Sequence, residues 1–131
     1  MAVGSDMTDF AAASERLIAA YNAKNFDAMA AMIAPGLDFA HYNRDFVLTS
    51  RDALLDVLRD FAANYVPDRH FEPAERVTVS GNMVVREAWY AGTTVVDLPG
   101  FGAAGDAFRF KFCSVMRFDP DGILVEWKDH G

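Results

Sequence analysis

An aspartate close to the end of the chain is the residue best suited to chemistry. Asp129 stands two positions after Trp127, in an alternating apolar and polar run that begins at Ile123. Because successive side chains of a strand point to opposite faces, this spacing predicts that Asp129 and Trp127 share an apolar, inward face. Burial raises the pKa of a carboxyl group and lets it exchange protons near neutral pH. Among the residues of this sequence, Asp129 is the first candidate for a catalytic acid or base; a purely structural hydrogen bond that holds the terminus is the alternative and stays open.

The three histidines are the next candidates. His41 shares strand parity with two apolar residues before it, so it is expected at the buried end of a strand. It would act as a base, or as an imidazole oriented by Asp129 or Glu87, unless neighbouring polar groups already occupy both ring nitrogens. His70 is expected near the pocket mouth or simply exposed, and His130 on the surface. Because the sequence contains no HxH or HExxH spacing, no metal site is predicted.

Two other features of the sequence suggest known kinds of site but lack the neighbouring residues or elements that those sites require. Ser114 lacks the elbow glycines of a hydrolase nucleophile. The segment 100–105 matches GxGxxG, but a dinucleotide site needs a strand before it and a helix after it, whereas these glycines join two predicted strands. We expect them to form a mobile flap at the pocket rim instead. No cofactor is predicted.

Length and composition limit the class of protein. A chain of 131 residues with 52% apolar residues predicts one domain, which we place at 8–131, with residues 1–7 poorly ordered. The net charge of −7 disfavours nucleic acid and anionic membrane surfaces as partners. A lone cysteine, Cys113, excludes an internal disulfide and suits a reducing compartment. Because the sequence shows no basic leader and no apolar run of ~20 residues, we expect a cytoplasmic location and no membrane contact.

Periodicity places helices first and strands afterwards. Apolar residues spaced three and four apart predict helices over 9–22, over 26–33 and after Ser50. A brief strand over 37–42 precedes the third helix. Alternation between turn signals predicts antiparallel strands over 76–80, 83–94, 107–118 and 123–129. This order indicates an α+β domain with helices on one face of a curved sheet.

Strand parity assigns the inward faces. On the strand over 107–118, an apolar set alternates with cations, and burial of unpaired cations is prohibitive, so the apolar set faces inward. That set comprises Phe108, Phe110, Phe112, Ser114, Met116 and Phe118. The inward set of the last strand comprises Ile123, Val125, Trp127 and Asp129. The strand over 83–94 permits either orientation; we prefer Arg86 outward, which would make Glu87 a second interior carboxylate.

Aromatic residues on these faces are expected to wall a ligand pocket, since they supply large apolar contact areas. The candidate substrate-binding residues are Tyr21, His70, Trp89, Phe110, Phe112 and Trp127. The aromatic members would serve equally well as plain hydrophobic core, so both interpretations stay open for them.

Four segments together resemble a known group of proteins. They are LIAAYNAKNFDA (17–28), MIAPGLDF (32–39), YAGTT (90–94) and MRFDPDGILVEWKD (116–129). On these residues the chain, from about 9 to 129, resembles the nuclear-transport-factor-2-like superfamily and, within it, the SnoaL-like, polyketide cyclase-like branch. The resemblance implies a cone-shaped, cystatin-like roll of three helices packed on a curved, mostly antiparallel sheet with an interior pocket. It also implies a homodimer through the outer sheet face.

The family is functionally broad, so the resemblance bears on fold more directly than on activity. In SnoaL-like cyclases a late inward acid exchanges protons at an acidic carbon, a role that would fall to Asp129. Dehydratase-like relatives use histidines beside an acid, a role open to His41 and His70. The base position of ketosteroid isomerases holds His41, and the Arg-x-Asp pair of limonene-epoxide hydrolases is replaced by Arg86-Glu87-Ala88, so neither activity is expected.

The resemblance thus implies a cofactor-free acid–base enzyme of cyclase, isomerase or dehydratase type. Its substrate would be a small, largely apolar molecule that carries a carbonyl group. The alternative is a non-catalytic dimeric module of the same fold, which binds a ligand or has a structural role.

Overall fold

The computed structural model describes residues 8–131, so the expectation for residues 1–7 lies outside the described residues. The helices are α1 (Phe10–Asn22), α2 (Phe26–Met32) and α3 (Arg51–Asp60), and α3 continues into a π-helical turn, Phe61–Tyr65. The strands are β1 (Ile33–His41), β2 (Phe46–Leu48), β3 (His70–Phe71), β4 (Arg76–Ser80), β5 (Met83–Thr93), β6 (Ala107–Phe118) and β7 (Leu124–His130). A 3₁₀ turn, Tyr42–Arg44, joins β1 to β2. None of the helices in the described range combines the length and the apolar character that a membrane crossing requires.

The seven strands belong to one curved, open sheet. Hydrogen bonds connect them in the order β2-β1-β7-β6-β5-β3, with β4 also paired to β5. β1 and β7 are parallel, and the other pairs are antiparallel. The predicted α+β roll of three helices on a curved, mostly antiparallel sheet is therefore confirmed.

Side-chain caps define where the helices begin. Asp9, Asn25 and Ser50 each accept a hydrogen bond from the backbone N–H three residues further on, at 2.9, 3.1 and 3.3 Å. Such caps satisfy donors that the first helical turn leaves unpaired. The helices consequently begin within one residue of their predicted starts.

Alternation along β6 follows the predicted inward face. Its buried residues are Phe108, Phe112, Ser114, Met116 and Phe118. The helices cover this face with Leu17 of α1, Met29 of α2 and Leu54 of α3, each of which is almost fully enclosed. The core therefore lies between the concave face of the sheet and the three helices.

The preferred orientation of β5 is wrong. Arg86 faces inward at 3% exposure, on the same side of the strand as the buried Tyr90. Its guanidinium pairs with Glu15 of α1 at 2.6 Å, so the buried charge has a partner on another element that strand parity does not reveal. Glu87 consequently faces outward and is not a second interior carboxylate.

The predicted inward set of β7 is correct only in its second half. Trp127 and Asp129 are buried, but Leu124 is buried in place of Ile123 and Val125. The pairing with β6 shifts between these two halves and leaves one extra residue in β7. Such a bulge reverses the parity of the residues before it.

Gly92 of β5 lies where a side chain has no room. A Cβ there would stand 2.5 Å from the Val66 Cγ1 and 3.2 Å from both the Arg69 Cα and the Phe108 Cζ. We expect Gly92→Ala to lower the free energy of unfolding by ~1–3 kcal/mol, because the backbone of Arg69 cannot rotate away. Urea titration measures this against Gly36→Ala, whose added Cβ would have no atom within 4 Å. Equal stability of the two variants would contradict the packing described.

Candidate functional site

A cavity of about 270 Å³ opens between the concave face of the sheet and α3. Its aromatic lining residues are Tyr21, Phe39, Phe46, Phe61, Phe71, Tyr90, Phe101, Phe112 and Trp127. Its remaining lining residues are Leu54, Val57, Leu58, His41, Arg44 and Asp129. A mainly apolar wall with a few convergent polar groups is typical of small-molecule sites.

Asp129 is the one carboxylate among the described residues that line this cavity. It is 4% exposed, and the Trp127 indole N–H donates to its Oδ1 at 2.7 Å. Burial raises the pKa of Asp129 to about 6, while hydrogen bonding by Ser114 and Trp127 acts in the opposite direction. An acid with this pKa is mostly ionised at neutral pH and protonated just below it, so it can both accept and release a proton.

His41 lies beside Asp129, because the two residues are register partners in the parallel pair of β1 and β7. Both of its ring nitrogens are buried without a hydrogen-bond partner among residues 8–131. Burial lowers the pKa of His41 to about 4, and the positive charge of Arg44 is the second cause. The imidazole is therefore neutral at neutral pH, with one nitrogen able to donate and the other able to accept.

Acid is expected to weaken the fold through His41. The pKa of this residue is about 4 in the folded chain against 6.5 unperturbed, so below pH 6.5 the unfolded chain binds a proton that the folded chain does not. Between about pH 7.5 and about pH 5, we expect wild type to lose roughly 1 kcal/mol more stability than His41→Gln, with partial exposure of the ring taken into account. Denaturant titrations at both pH values measure this difference. A difference between the two proteins that does not change with pH would mean that His41 titrates as it does in the unfolded chain.

Two tyrosine hydroxyls meet at the cavity wall. The hydroxyls of Tyr21 and Tyr90 are 2.7 Å apart, and either can donate to the other. Since each hydroxyl carries one proton, the pair leaves one O–H free to donate to a ligand oxygen. Burial raises the pKa of Tyr21 to about 12 and that of Tyr90 well above its usual value, so both remain protonated.

A buried arginine stands behind this pair. Arg69 is 1% exposed, and its guanidinium carbon lies 3.7 Å from the centroid of the Tyr21 ring. Its Nη1 also donates to the backbone carbonyl of Tyr21. The charge of Arg69 counteracts part of the burial effect that raises the pKa of both tyrosines. Arg69 thus fixes and polarises Tyr21 from outside the cavity lining.

The structure brings five of the predicted site residues together. Asp129, His41, Tyr21, Phe112 and Trp127 all line the cavity. The rings of His41 and Phe112 form a T-shaped pair, with 5.1 Å between the ring centroids and 81° between the ring planes. The two residues predicted to be catalytic are therefore neighbours in one apolar enclosure.

Three other predicted ligand-binding residues lie elsewhere. His70 is exposed at the start of β3. Trp89 lies on the outer face of the sheet beneath Arg109, because β5 has the orientation opposite to the preferred one. Phe110 stacks on Phe108 beside the cavity and is not part of its lining.

Arg44 and Phe101 line the cavity without having been predicted from the sequence. Arg44 belongs to the 3₁₀ turn after β1, and Phe101 to the glycine-rich loop 95–106. Gly100 lets this loop approach the Arg44 guanidinium, since a Cβ at Gly100 would stand 2.6 Å from its Nη1. The signal for Phe101 is a single large apolar residue among glycines and alanines. Arg44 has no such signal, because a short turn does not indicate where its side chains point.

Metal ligands do not converge in the part of the chain that the structure describes. No group of three or more His, Cys, Asp or Glu side chains there is placed to hold an ion.

The architecture and the cavity together place the chain in a class of proteins. Helices on a curved, open sheet around an apolar cavity define the nuclear-transport-factor-2-like fold. The family model for the SnoaL-like domain matches residues 14–127, and the chain belongs to this family. Among curated proteins, none is detectably similar to it in sequence.

Solved structures share the fold at low sequence identity. A candidate polyketide cyclase from Xanthomonas campestris pv. campestris is 18% identical with a TM-score of 0.79, over 93% of this chain and 89% of that chain. A candidate SnoaL-like polyketide cyclase from Shewanella denitrificans OS-217 is 16% identical with a TM-score of 0.79, over 95% and 90% of the two chains. An epoxide hydrolase from M. tuberculosis is 21% identical with a TM-score of 0.71, over 90% and 78%. At these identities the likeness establishes the fold alone.

Proposed function

We propose that this chain is a cofactor-free acid–base enzyme of SnoaL-like type, acting on a small, largely apolar molecule that carries a carbonyl group. The observation that carries the proposal is Asp129, a buried carboxylate in the cavity wall, held by Trp127, with a pKa of about 6. General bases are commonly held near the working pH in this way. The candidate cyclases among the structural neighbours support the same type of chemistry.

The proton transfer takes place between Asp129 and a carbon beside the substrate carbonyl. Asp129 accepts the proton, the electron pair of the broken C–H bond moves towards the carbonyl, and negative charge develops on its oxygen. The free O–H of the Tyr21–Tyr90 pair donates a hydrogen bond to that oxygen. Asp129 then returns the proton, to a different carbon in an isomerisation or to the new hydroxyl oxygen when the enolate carbon closes a ring on a second carbonyl.

His41 is the proposed partner of Asp129 in this step. Its neutral imidazole lines the same cavity as Asp129, its register partner on the neighbouring strand, and neither ring nitrogen has a hydrogen-bond partner in the described range. One nitrogen can therefore donate to a second substrate oxygen while the other accepts from a substrate hydroxyl.

Cavity size limits the substrate class. Pockets for drug-sized ligands measure ~300–1,000 Å³, and this cavity measures about 270 Å³. Its walls offer the rings of Phe112 and Trp127 as flat apolar surfaces. We therefore propose substrates of one or two rings.

A two-stage experiment tests the proposal. A thermal-shift screen of hydroxylated aromatic and polyketide-like carbonyl compounds first identifies binders, with Leu58→Trp as a variant that fills the cavity from α3. Binders are then incubated with the protein in D₂O, and exchange of the proton beside the carbonyl is followed by NMR. We expect exchange with wild type, a large loss with Asp129→Asn, and a smaller loss with His41→Ala.

The outcomes separate the two functions that the family allows. Binding that Leu58→Trp abolishes, without exchange that depends on Asp129, would replace the enzyme with a ligand-binding module. A screen without any binder would contradict both and leave a structural role for the fold.

A homodimer through the outer sheet face is a separate proposal. This face carries the large apolar side chain Trp89 between Arg109 and Lys111, and both cations pair with acids of the same chain. A neutralised surface with a central aromatic residue suits a partner copy. Sedimentation equilibrium should give a dimer for wild type and a weakened dimer for Trp89→Glu; a monomeric wild type would overturn the proposal.

A further inference from the structure

Arg44 is a cation without an acidic partner in residues 8–131. Its guanidinium carbon lies 4.1 Å from the ring centroid of Phe101 and 5.4 Å from that of Phe110. Its Nε is buried with no hydrogen-bond partner in this range. The buried Arg69 also lacks an acidic partner in this range, but it lies outside the cavity lining. Eight further cations of the range pair with acids, namely Arg51, Arg59, Arg76, Arg86, Arg109, Lys111, Arg117 and Lys128.

The positive charge of Arg44 lies at the wall of the cavity. Arg44 is part of the lining, and its charge helps to lower the pKa of His41. Burial lowers the pKa of Arg44 itself, so the guanidinium is partly removed from water without a carboxylate to compensate. A cation in this situation favours the binding of an anion, which replaces the lost solvation.

The other polar residues of the lining determine how an anion would lie. His41 and the two tyrosines are neutral, so Arg44 is the one positive charge among the described lining residues. Asp129 is mostly ionised at neutral pH and repels a second negative charge. An anionic ligand therefore places its charged group at Arg44 and its apolar body towards Asp129, along the aromatic walls.

We infer that the cavity selects substrates that carry a carboxylate, and that Arg44 binds this carboxylate as a specificity-determining residue. The inference rests on the proposed function of the same cavity and adds the charge of its substrate. A planar guanidinium donates two parallel hydrogen bonds to a carboxylate, which fixes orientation as well as affinity. The substrate class is then a one- or two-ring carboxylic acid with a further carbonyl group near Asp129.

A purely structural role for Arg44 is the competing explanation. Arg44 stacks on Phe101 and so helps to hold the loop 95–106 over the cavity. Loss of that support would weaken every ligand to a similar extent. Loss of a group that binds the carboxylate would weaken the binding of acids alone. The two explanations therefore predict different values for the ratio of acid affinity to neutral-ligand affinity in an Arg44 variant.

A matched pair of ligands measures this ratio. Titration calorimetry at neutral pH compares 2-naphthoate with 2-naphthamide, which have nearly the same shape and differ in charge. We expect wild type to prefer the acid by ~10- to 100-fold, the range for hydrogen bonds to a charged group. Arg44→Gln should remove this preference, and Arg44→Lys should keep part of it. Arg59→Gln is the control, because it removes the same charge from an exposed arginine that also stacks on a phenylalanine, outside the cavity lining.

Each outcome decides the inference. Preference for the acid that Arg44→Gln abolishes and Arg59→Gln leaves intact supports it. An equal loss for both ligands in Arg44→Gln, no preference in wild type, or no binding of the acid to wild type would overturn it. Equal affinity of wild type for the amide and the acid, together with proton exchange that depends on Asp129 in a carbonyl compound found by the thermal-shift screen, would overturn the inference and leave the proposed acid–base function standing.

Discussion

Asp129→Asn is expected to slow turnover severely and, at the same time, to stabilise the folded protein at neutral pH. The amide cannot exchange a proton, so we expect a loss of ~10²–10⁴-fold in rate. The pKa of Asp129 is raised from 3.8 to about 6, so the folded chain holds an ionised carboxylate in an unfavourable, buried position at neutral pH. Its removal is expected to raise the free energy of unfolding by up to about 3 kcal/mol, since the asparagine oxygen can still accept from the Trp127 indole.

The stability that Asp129→Asn gains over wild type is expected to depend on pH in a defined direction. An acid whose pKa is raised on folding costs stability above the folded pKa, and the cost disappears below the unfolded pKa. The extra stability of Asp129→Asn should therefore be largest above pH 6 and vanish below about pH 3.8. Denaturant titrations across this window measure it, with Asp38→Asn as the control at an exposed carboxylate on β1. A variant that is less stable than wild type at neutral pH, or that keeps its proton-exchange rate, would contradict the role assigned to Asp129.

Tyr21→Phe and Tyr90→Phe are each expected to slow proton exchange by ~10²–10³-fold, the range measured when one donor to a developing oxyanion is removed. Because the two hydroxyls hydrogen-bond at 2.7 Å, loss of either leaves the other without its partner and moves the remaining donor. The two residues act as one unit, so the double variant should be no slower than about the worse single variant.

The same exchange assay on the single and double variants measures this coupling. Tyr65→Phe is a suitable control, because Tyr65 is partly buried against Phe61 and does not line the cavity. Fully additive losses in the double variant would mean that the hydroxyls act independently. Unchanged rates in both single variants would remove the pair from the mechanism.

Much of the fold could be predicted from local patterns that tertiary structure does not override. The phenylalanines of β6 alternate with cations that cannot be buried without partners, so parity alone assigns the inward face correctly. The same logic places Trp127 and Asp129 in the cavity wall, although β7 begins with a bulge that no local pattern indicates. The inward position of Asp129 could be predicted because this residue follows the bulge and keeps the parity of Trp127.

Three buried or half-buried cations could not be placed from the sequence, since each depends on a partner distant in sequence. Arg86 is tolerated inside because Glu15, on α1, reaches it across 71 positions of the chain. Arg69 is buried against the face of the Tyr21 ring, and Arg44 is aimed at the cavity by a turn whose sequence does not specify side-chain direction. Strand parity predicts an outward face for Arg86, because it considers the cost of burying a charge and contains no information on the ion pair with Glu15.

The most direct test of this account is a ¹³C NMR titration of the Asp129 carboxyl carbon, assigned by comparison with Asp129→Asn. We expect a midpoint of about 6, with the signal insensitive to pH near 3.8. A midpoint close to 3.8 would show a carboxylate in contact with water, and the protein would then lack the buried base on which the proposed reaction depends.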